Sequence, residues 1–152
     1  MSAVCTIGYE GAALDSWVEN LEVAGVEVVV DVRDVPISRR KGFSKTALAA
    51  RLGEAGIDYV HVRSLGNPRE LRHALKDGVM TFEEFAPLFR RQLSERAGDI
   101  AHVLELTESR RVCLVCFEAD PAQCHRSLVA ESLVAAASRP LAVEHLRHAC
   151  SA

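Results

Sequence analysis

The sequence has few lysines and few aromatic residues, and both shortages bear on what the protein binds. Phe, Tyr and Trp together make up 5% of the chain, and the net charge is −3. Proteins that bind nucleic acids usually present aromatic side chains for base stacking and a broad basic face. The composition therefore disfavours a nucleic-acid partner, although it is compatible with a local basic patch.

Long apolar segments and a disulfide framework are also missing. No hydrophobic run approaches the length that crosses a bilayer, and the first residues lack the charged start and apolar core of a secretory signal. There are five cysteines, an odd number, and several lie inside apolar runs, unlike the pattern of a secreted disulfide scaffold. We therefore expect a reduced, cytoplasmic protein without a membrane partner; its oligomeric state stays open.

Positive charge is carried mainly by arginine, with 15 Arg against 3 Lys. The guanidinium group binds carboxylates and phosphates through a planar fork of donors. The placement of the arginines is therefore more informative than the total charge. The segment Arg33–Lys41 carries four positive charges opposed only by Asp34. It is either an anion-binding loop or a solvated basic loop.

Alternating strand and helix patterns predict the fold. Apolar and β-branched runs predict strands at residues 4–8, 26–32, 57–62, 112–117 and 141–146. Helical spacing of apolar residues fills the intervals between them. This alternation favours an α/β fold with a mostly parallel sheet of about five strands and helices on both faces. The 152 residues predict one domain over residues 1–152, with the very apolar run at 112–117 as a central strand.

Two helix starts are indicated by capping sequences. Thr81-Phe82-Glu83-Glu84 matches a capping box, and Asp120-Pro121-Ala122-Gln123 predicts a helix that continues to about residue 137. On this interpretation Cys124 lies in the first helical turns, where the helix dipole favours a thiolate; alternatively it is an inert, partly buried thiol. His125 then lies about 100° around the helix from Cys124, on the stripe facing the sheet, where it can bond a strand end.

Polar residues follow three of the predicted strands. In open parallel sheets, ligands bind beyond the carboxyl ends of the strands, so these residues are expected to converge at one edge. The expected cluster consists of Tyr9, Glu10, Asp31, Arg33, Cys116, Glu118, Cys124, His125 and Arg126. Cys113 and Cys116 form a C-x-x-C, but residues three apart in a strand point to opposite faces. We therefore predict no shared metal, and no cofactor can be identified from the sequence.

Several segments together resemble the domain-of-unknown-function family 488. The similarity lies in Thr6-Ile7-Gly8-Tyr9-Glu10-Gly11, Asp31-Val32-Arg33, Ser38-Arg39-Arg40, Gly42-Phe43-Ser44-Lys45, the run Cys113–Glu118, and Cys124-His125-Arg126. It covers about residues 6–146. The resemblance implies a compact prokaryotic α/β domain but no defined reaction. By motif match, it implies a site formed by Asp31, Arg33, Arg39, Arg40, Cys116, Glu118, Cys124, His125 and Arg126.

Three functions are compatible with these observations. The convergence at the strand ends favours binding of an anionic small molecule, a phosphate ester or nucleotide, with hydrolase or transferase activity left open. Asp31 or Glu118 would supply the acid or base, and Cys124 a nucleophile. The anion would be bound by Arg33, Arg39, Arg40 and Arg126. The alternatives are a non-catalytic nucleotide or nucleic-acid binding module, and a redox-sensitive domain in which Cys116 and Cys124 form a disulfide.

Overall fold

The computed structural model describes residues 2–148 and contains one parallel sheet. Its strands are β1 (Ser2–Gly8), β2 (Val28–Asp31), β3 (Asp58–His61), β4 (Val112–Cys116) and β5 (Leu141–His145). Every neighbouring pair is parallel, and the spatial order is β3-β2-β4-β1-β5. The predicted α/β fold, with a five-stranded sheet centred on the apolar run at 112–117, is therefore confirmed.

Helices cover both faces of the sheet, because the inner strands β1, β2 and β4 bury side chains on both sides. The helices are α1 (Leu14–Val23), α2 (Lys45–Glu54), α3 (Arg69–Lys76), α4 (Phe82–Ser94), α5 (Ala97–Ser109) and α6 (His125–Ala136). The core on one face includes residues of α1 and α2, and the core on the other includes residues of α4, α5 and α6. Cys113 belongs to the first core and Cys116 to the second, so the predicted opposite orientation of the two thiols is confirmed.

Predicted helix caps are only partly observed. At α4 the capping box is present: the Thr81 hydroxyl accepts from the Glu84 amide, and the Glu84 carboxylate accepts from the Thr81 amide at 3.0 Å. Ser44 lies at the N-cap position of α2, but its hydroxyl donates to the Ser38 carbonyl instead of accepting from the helix. The hydroxyl of Ser44 therefore stabilises the basic loop of residues 33–41 and does not cap α2.

The segment before α6 differs from the prediction. The Asp120 carboxylate accepts from the Ala122 amide at 2.9 Å, but Pro121–Gln123 form only one 3-10 turn. Cys124 is extended (φ −127°, ψ 139°), and α6 begins at His125. The prediction that a helix starts at residues 120–123, with Cys124 in its first turns, is therefore wrong. The 3-10 turn closes on a hydrogen bond from the Cys124 amide to the Pro121 carbonyl, and the chain then straightens.

The ends of β1 and β4 are held together by close backbone contacts. The amides of Tyr9 and Glu10 both donate to the Phe117 carbonyl, at 3.0 and 2.8 Å. Gly8 lies so close to the backbone after β4 that a Cβ atom there would overlap the carbonyl group of Glu118. A residue without a side chain is therefore required where the two strand ends meet.

Replacement of this glycine tests the close approach. We expect Gly8→Ala to lower the free energy of unfolding by about 3 kcal/mol, since the added methyl group has no space and backbone must move. The measurement is urea unfolding followed by circular dichroism. Gly98→Ala in α5 is the matched control, because no atom lies near its Cβ position. Alanine there should leave stability unchanged or raise it by up to about 1 kcal/mol. Equal stability of both variants would contradict the close approach.

Candidate functional site

A cavity of about 1120 Å³ lies at the carboxyl ends of β1, β2 and β4. Its walls come from the three strand ends, the loop after β2, α3 and the start of α4. The predicted convergence of polar residues at one sheet edge therefore coincides with a cavity. Eight of the predicted site residues line it: Tyr9, Glu10, Arg33, Arg39, Arg40, Cys116, Glu118 and His125.

The other three predicted site residues lie behind the cavity wall. Asp31 and Arg126 have no exposed surface, and Cys124 is 2% exposed. None of the three belongs to the cavity lining. Their predicted roles in catalysis or anion binding stay predictions. Each of them contacts a residue of the cavity lining: Asp31 contacts Arg33, Arg126 contacts Glu118, and Cys124 contacts His125.

A buried ion pair forms at the end of β2. The Arg33 Nη2 atom lies 2.7 Å from Asp31 Oδ2, and Arg33 Nε donates to Asp31 Oδ1 at 2.9 Å. The remaining Nη1 atom donates to the Tyr9 hydroxyl at 3.1 Å and to the Phe43 carbonyl at 2.7 Å. Most donors of Arg33 are therefore used within the protein, although its side chain forms part of the cavity wall.

The pKa values of this network follow from burial and pairing. Burial by itself lowers the pKa of the Arg33 guanidinium, but the hydrogen bonds and charge of Asp31 outweigh it, so the pKa rises and the group stays charged. Tyr59 donates its hydroxyl to Asp31 Oδ2 at 2.5 Å, and burial together with this bond raises the Tyr59 pKa. The Arg33 guanidinium is therefore charged and the Tyr59 hydroxyl protonated around neutral pH.

Arg126 is fully buried beneath the turn that follows β4. It donates to the Glu118 carbonyl at 2.5 Å, to the Ala119 carbonyl at 3.4 Å and to the Thr6 hydroxyl at 3.2 Å. These bonds connect α6 to β1 and to the segment carrying Glu118. Arg126 therefore positions a residue of the cavity wall.

Other cationic side chains face the cavity. Arg39 and Lys76 make no hydrogen bond or ion pair within residues 2–148, whereas Arg72 pairs with Asp34 at 3.5 Å and Arg40 donates to a backbone carbonyl. Five of the lining residues are Lys or Arg and three are Asp or Glu. The whole chain has the opposite balance, with 18 basic and 21 acidic residues. The cavity therefore concentrates positive charge.

The basic residues of α3 were not identified from the sequence. Arg72, His73 and Lys76 line the cavity, and the partly buried Leu71 and Leu75 pack α3 against the core. Helical spacing of apolar residues predicts a helix in this interval but does not indicate which of its residues face a cavity. The sequence does contain a signal for this basic surface: Arg72 and Lys76 are four residues apart and therefore share one face of a helix.

Two thiols and an imidazole meet at the cavity wall. The Cys116 sulfur lies 3.6 Å, and the Cys124 sulfur 4.0 Å, from Nδ1 of His125. The three potential ligand atoms all lie within 4.8 Å of one another. The expected angular separation of Cys124 and His125 is therefore wrong, because Cys124 is extended rather than helical. The two sulfurs are also neighbours, as the disulfide hypothesis requires, while oxidation itself stays a prediction.

The orientation of His125 is fixed by the strand end. Its Nε2 atom lies 2.6 Å from the Val32 carbonyl oxygen, just beyond β2. A carbonyl accepts only, so Nε2 carries a hydrogen. The Cys116 sulfur lies 3.6 Å from Nδ1 and 4.0 Å from Nε2, so it sits beside both ring nitrogens rather than in line with Nδ1. The sequence-based expectation that this histidine bonds the end of a strand corresponds to this contact.

Electrostatics at the cluster disfavour a free thiolate at Cys124. Burial, and then the neighbouring Cys116, raise the pKa of the Cys124 thiol well above its usual value. Burial lowers the pKa of His125, but Cys124, the Val32 carbonyl and the charge of Glu118 outweigh it, so that pKa is raised. Without a further positive charge, Cys124 is therefore protonated near neutral pH, and its nucleophilic role stays a prediction.

These observations define a class: an α/β protein whose parallel sheet carries a basic cavity and a thiol–imidazole cluster at the carboxyl ends of its strands. Residues 13–133 match the family described as Domain of unknown function DUF488. The chain belongs to this family, which confirms the resemblance seen in its motifs. Comparison with curated proteins and with solved structures gave no match. Within the described residues, no helix has the length and apolarity needed to cross a membrane.

Removal of one partner tests the buried ion pair. Arg33→Met leaves the Asp31 carboxylate buried without its countercharge, and we expect a loss of about 3–5 kcal/mol in the free energy of unfolding. Tyr59→Phe removes one hydrogen bond to the same carboxylate and should cost about 1 kcal/mol. Urea unfolding measures both variants. Wild-type stability of Arg33→Met would contradict the structural role of the pair.

Thiol alkylation against pH tests the state of Cys124. We expect slow modification whose rate still rises above pH ~8.5, the ordinary thiol pKa, because burial disfavours the thiolate. Mass spectrometry of the peptide containing Cys124 measures the rate, and protein unfolded in denaturant gives the reference titration. A rate that levels off below about pH 7 would instead indicate a reactive thiolate.

Proposed function

We propose that the protein binds an organic phosphate, a phosphate ester or nucleotide, in the cavity at the carboxyl ends of β1, β2 and β4. The observation that carries this proposal is the pair Arg39 and Lys76. These cations reach the cavity from two different elements, the loop after β2 and α3, and neither has a partner in the described part of the chain. Two cations without internal partners can bind an anion without breaking existing ion pairs.

The apolar part of the cavity supports an organic rather than an inorganic anion. Val35, Ile37, Met80, Phe82 and Phe117 line the same space as the cations. Ile37 is 74% and Phe117 40% exposed. An inorganic phosphate gains nothing from such surface, whereas the base or carbon skeleton of an ester can cover it. Ligand sites commonly combine an apolar wall with a few polar groups that fix orientation.

A hydrolase or transferase reaction in this cavity would use Glu118 for proton transfer. Glu118 lines the cavity, and its Oε2 atom is buried without a hydrogen-bond partner within residues 2–148. Asp31, the other predicted acid or base, is committed to Arg33 and Tyr59. The carboxylate at the cavity wall is therefore the better candidate for general acid–base chemistry.

Calorimetric titration with adenosine monophosphate and with adenosine tests the proposal. The monophosphate should bind more tightly than the uncharged nucleoside, and increasing salt should weaken its binding. Arg39→Ala and Lys76→Ala should each raise its dissociation constant by about 10-fold or more, as expected for a lost charged hydrogen bond. Arg91→Ala is the control, since Arg91 is an exposed arginine of α4 outside the cavity lining.

Three results would contradict organic-phosphate binding. One is equal affinity for the nucleoside and its monophosphate. Another is an Arg91→Ala variant whose affinity for adenosine monophosphate falls as much as that of Arg39→Ala. The third is tight binding of a single-stranded oligonucleotide without binding of the monophosphate, which would instead support a nucleic-acid partner.

A further inference from the structure

We propose that Cys116, Cys124 and His125 form a binding site for Zn²⁺ that opens into the cavity. The two thiols and the imidazole supply sulfur and nitrogen ligands, a set found in zinc proteins. The three residues come from the end of β4, the position before α6, and the first residue of α6.

The spacing of the ligand atoms fits a tetrahedral ion. Zinc–sulfur bonds of about 2.3 Å and zinc–nitrogen bonds of about 2.0 Å place neighbouring ligand atoms roughly 3.5–3.8 Å apart. The Nδ1 atom of His125 lies 3.6 Å from the Cys116 sulfur and 4.0 Å from the Cys124 sulfur. All three atoms lie within 4.8 Å of one another. The Cys116 sulfur is also 4.0 Å from Nε2, so binding requires its side chain to turn towards the Nδ1 side of the imidazole.

The strand end holds the imidazole by its other nitrogen. Its Nε2–H donates to the Val32 carbonyl at 2.6 Å, so Nδ1 is the ring nitrogen left to bind an ion. Histidines that bind metals usually donate their other ring N–H to a carbonyl or carboxylate. Val32 follows β2 directly, so the rigid sheet would fix the position of this ligand.

Charge balance favours a divalent ion in this buried position. Cys116, Cys124 and His125 are 6%, 2% and 5% exposed. Two thiolates neutralise the two positive charges of Zn²⁺, so the complex leaves no net charge in the interior. Binding forms three coordinate bonds and transfers the two thiol protons to solvent, together with the Nδ1 proton of any His125 in the imidazolium form. Soft thiolate ligands select zinc over magnesium or calcium.

The cavity gives access to the ion and leaves one coordination position open. Cys116 and His125 both line the cavity, whereas Cys124 lies behind them. Three protein ligands and a fourth position for water or a ligand atom are the pattern of catalytic rather than structural zinc sites. Glu118, with its unpartnered Oε2 atom, lies on the same cavity wall. The site is thus placed to act on a molecule held in the cavity.

Zinc loading can be measured without any organic anion, so its outcome is separate from that of the proposed function. Protein stripped with a chelator is dialysed against a small excess of Zn²⁺ and its metal content is measured. Wild type should bind one zinc per chain and release two to three protons as it does so, depending on the fraction of His125 that is protonated. Cys116→Ala and Cys124→Ala should each weaken binding at least about 100-fold, more than the loss of a supporting hydrogen bond.

Cys113→Ala is the matched control, because Cys113 is also a buried thiol of β4 but faces the opposite side of the sheet. It should bind zinc like wild type. X-ray absorption of zinc-loaded wild type provides a test without substitutions, and should show two sulfur ligands at about 2.3 Å with nitrogen at about 2.0 Å. A shell of oxygen and nitrogen only, less than half an equivalent of bound zinc, or unchanged binding by the Cys116 and Cys124 variants would overturn the proposal.

Discussion

The ion pair between Asp31 and Arg33 is the interaction on which the cavity depends most. It connects the end of β2 to Tyr9 after β1, to Phe43 at the far end of the basic loop and to Tyr59 on β3. Both charges are buried, so neither can lose its partner without a large penalty. The loop after β2 must therefore cross the strand ends along one path, and that path carries Arg39 to the cavity.

Four of the arginines near the site fall into two groups with different roles. Arg33 and Arg126 are buried, and their forked donors join several strand ends and turns at once. Arg39 and Arg72 reach the cavity, where their charges are accessible. Arginine thus occurs both in the buried hydrogen-bond network and in the proposed anion site. A guanidinium group is suited to each, because it can donate to several acceptors at once or bind a phosphate. The surplus of arginine over lysine fits both uses.

Much of the fold could be predicted because its determinants are local. The β-branched runs mark the strands, and the parallel arrangement brings Tyr9, Arg33 and Glu118 to one edge. Features that depend on tertiary contacts could not be predicted. One example is Ser44, whose hydroxyl donates to the Ser38 carbonyl in the loop instead of capping α2.

The thiol–imidazole cluster was predicted only in part, for the same reason. Cys124 becomes extended after a short 3-10 turn, and this change alone brings its sulfur to His125. The convergence of the strand ends predicted that Cys116 would lie near Cys124 and His125, but not that both sulfurs would contact the imidazole.

The most direct test of the proposed phosphate site is to follow the backbone amide NMR signals of isotopically labelled protein during titration with adenosine monophosphate. The largest shifts should fall on residues 33–41, on α3 and on residues 116–118. Shifts concentrated away from these segments, or none at saturating ligand, would contradict it.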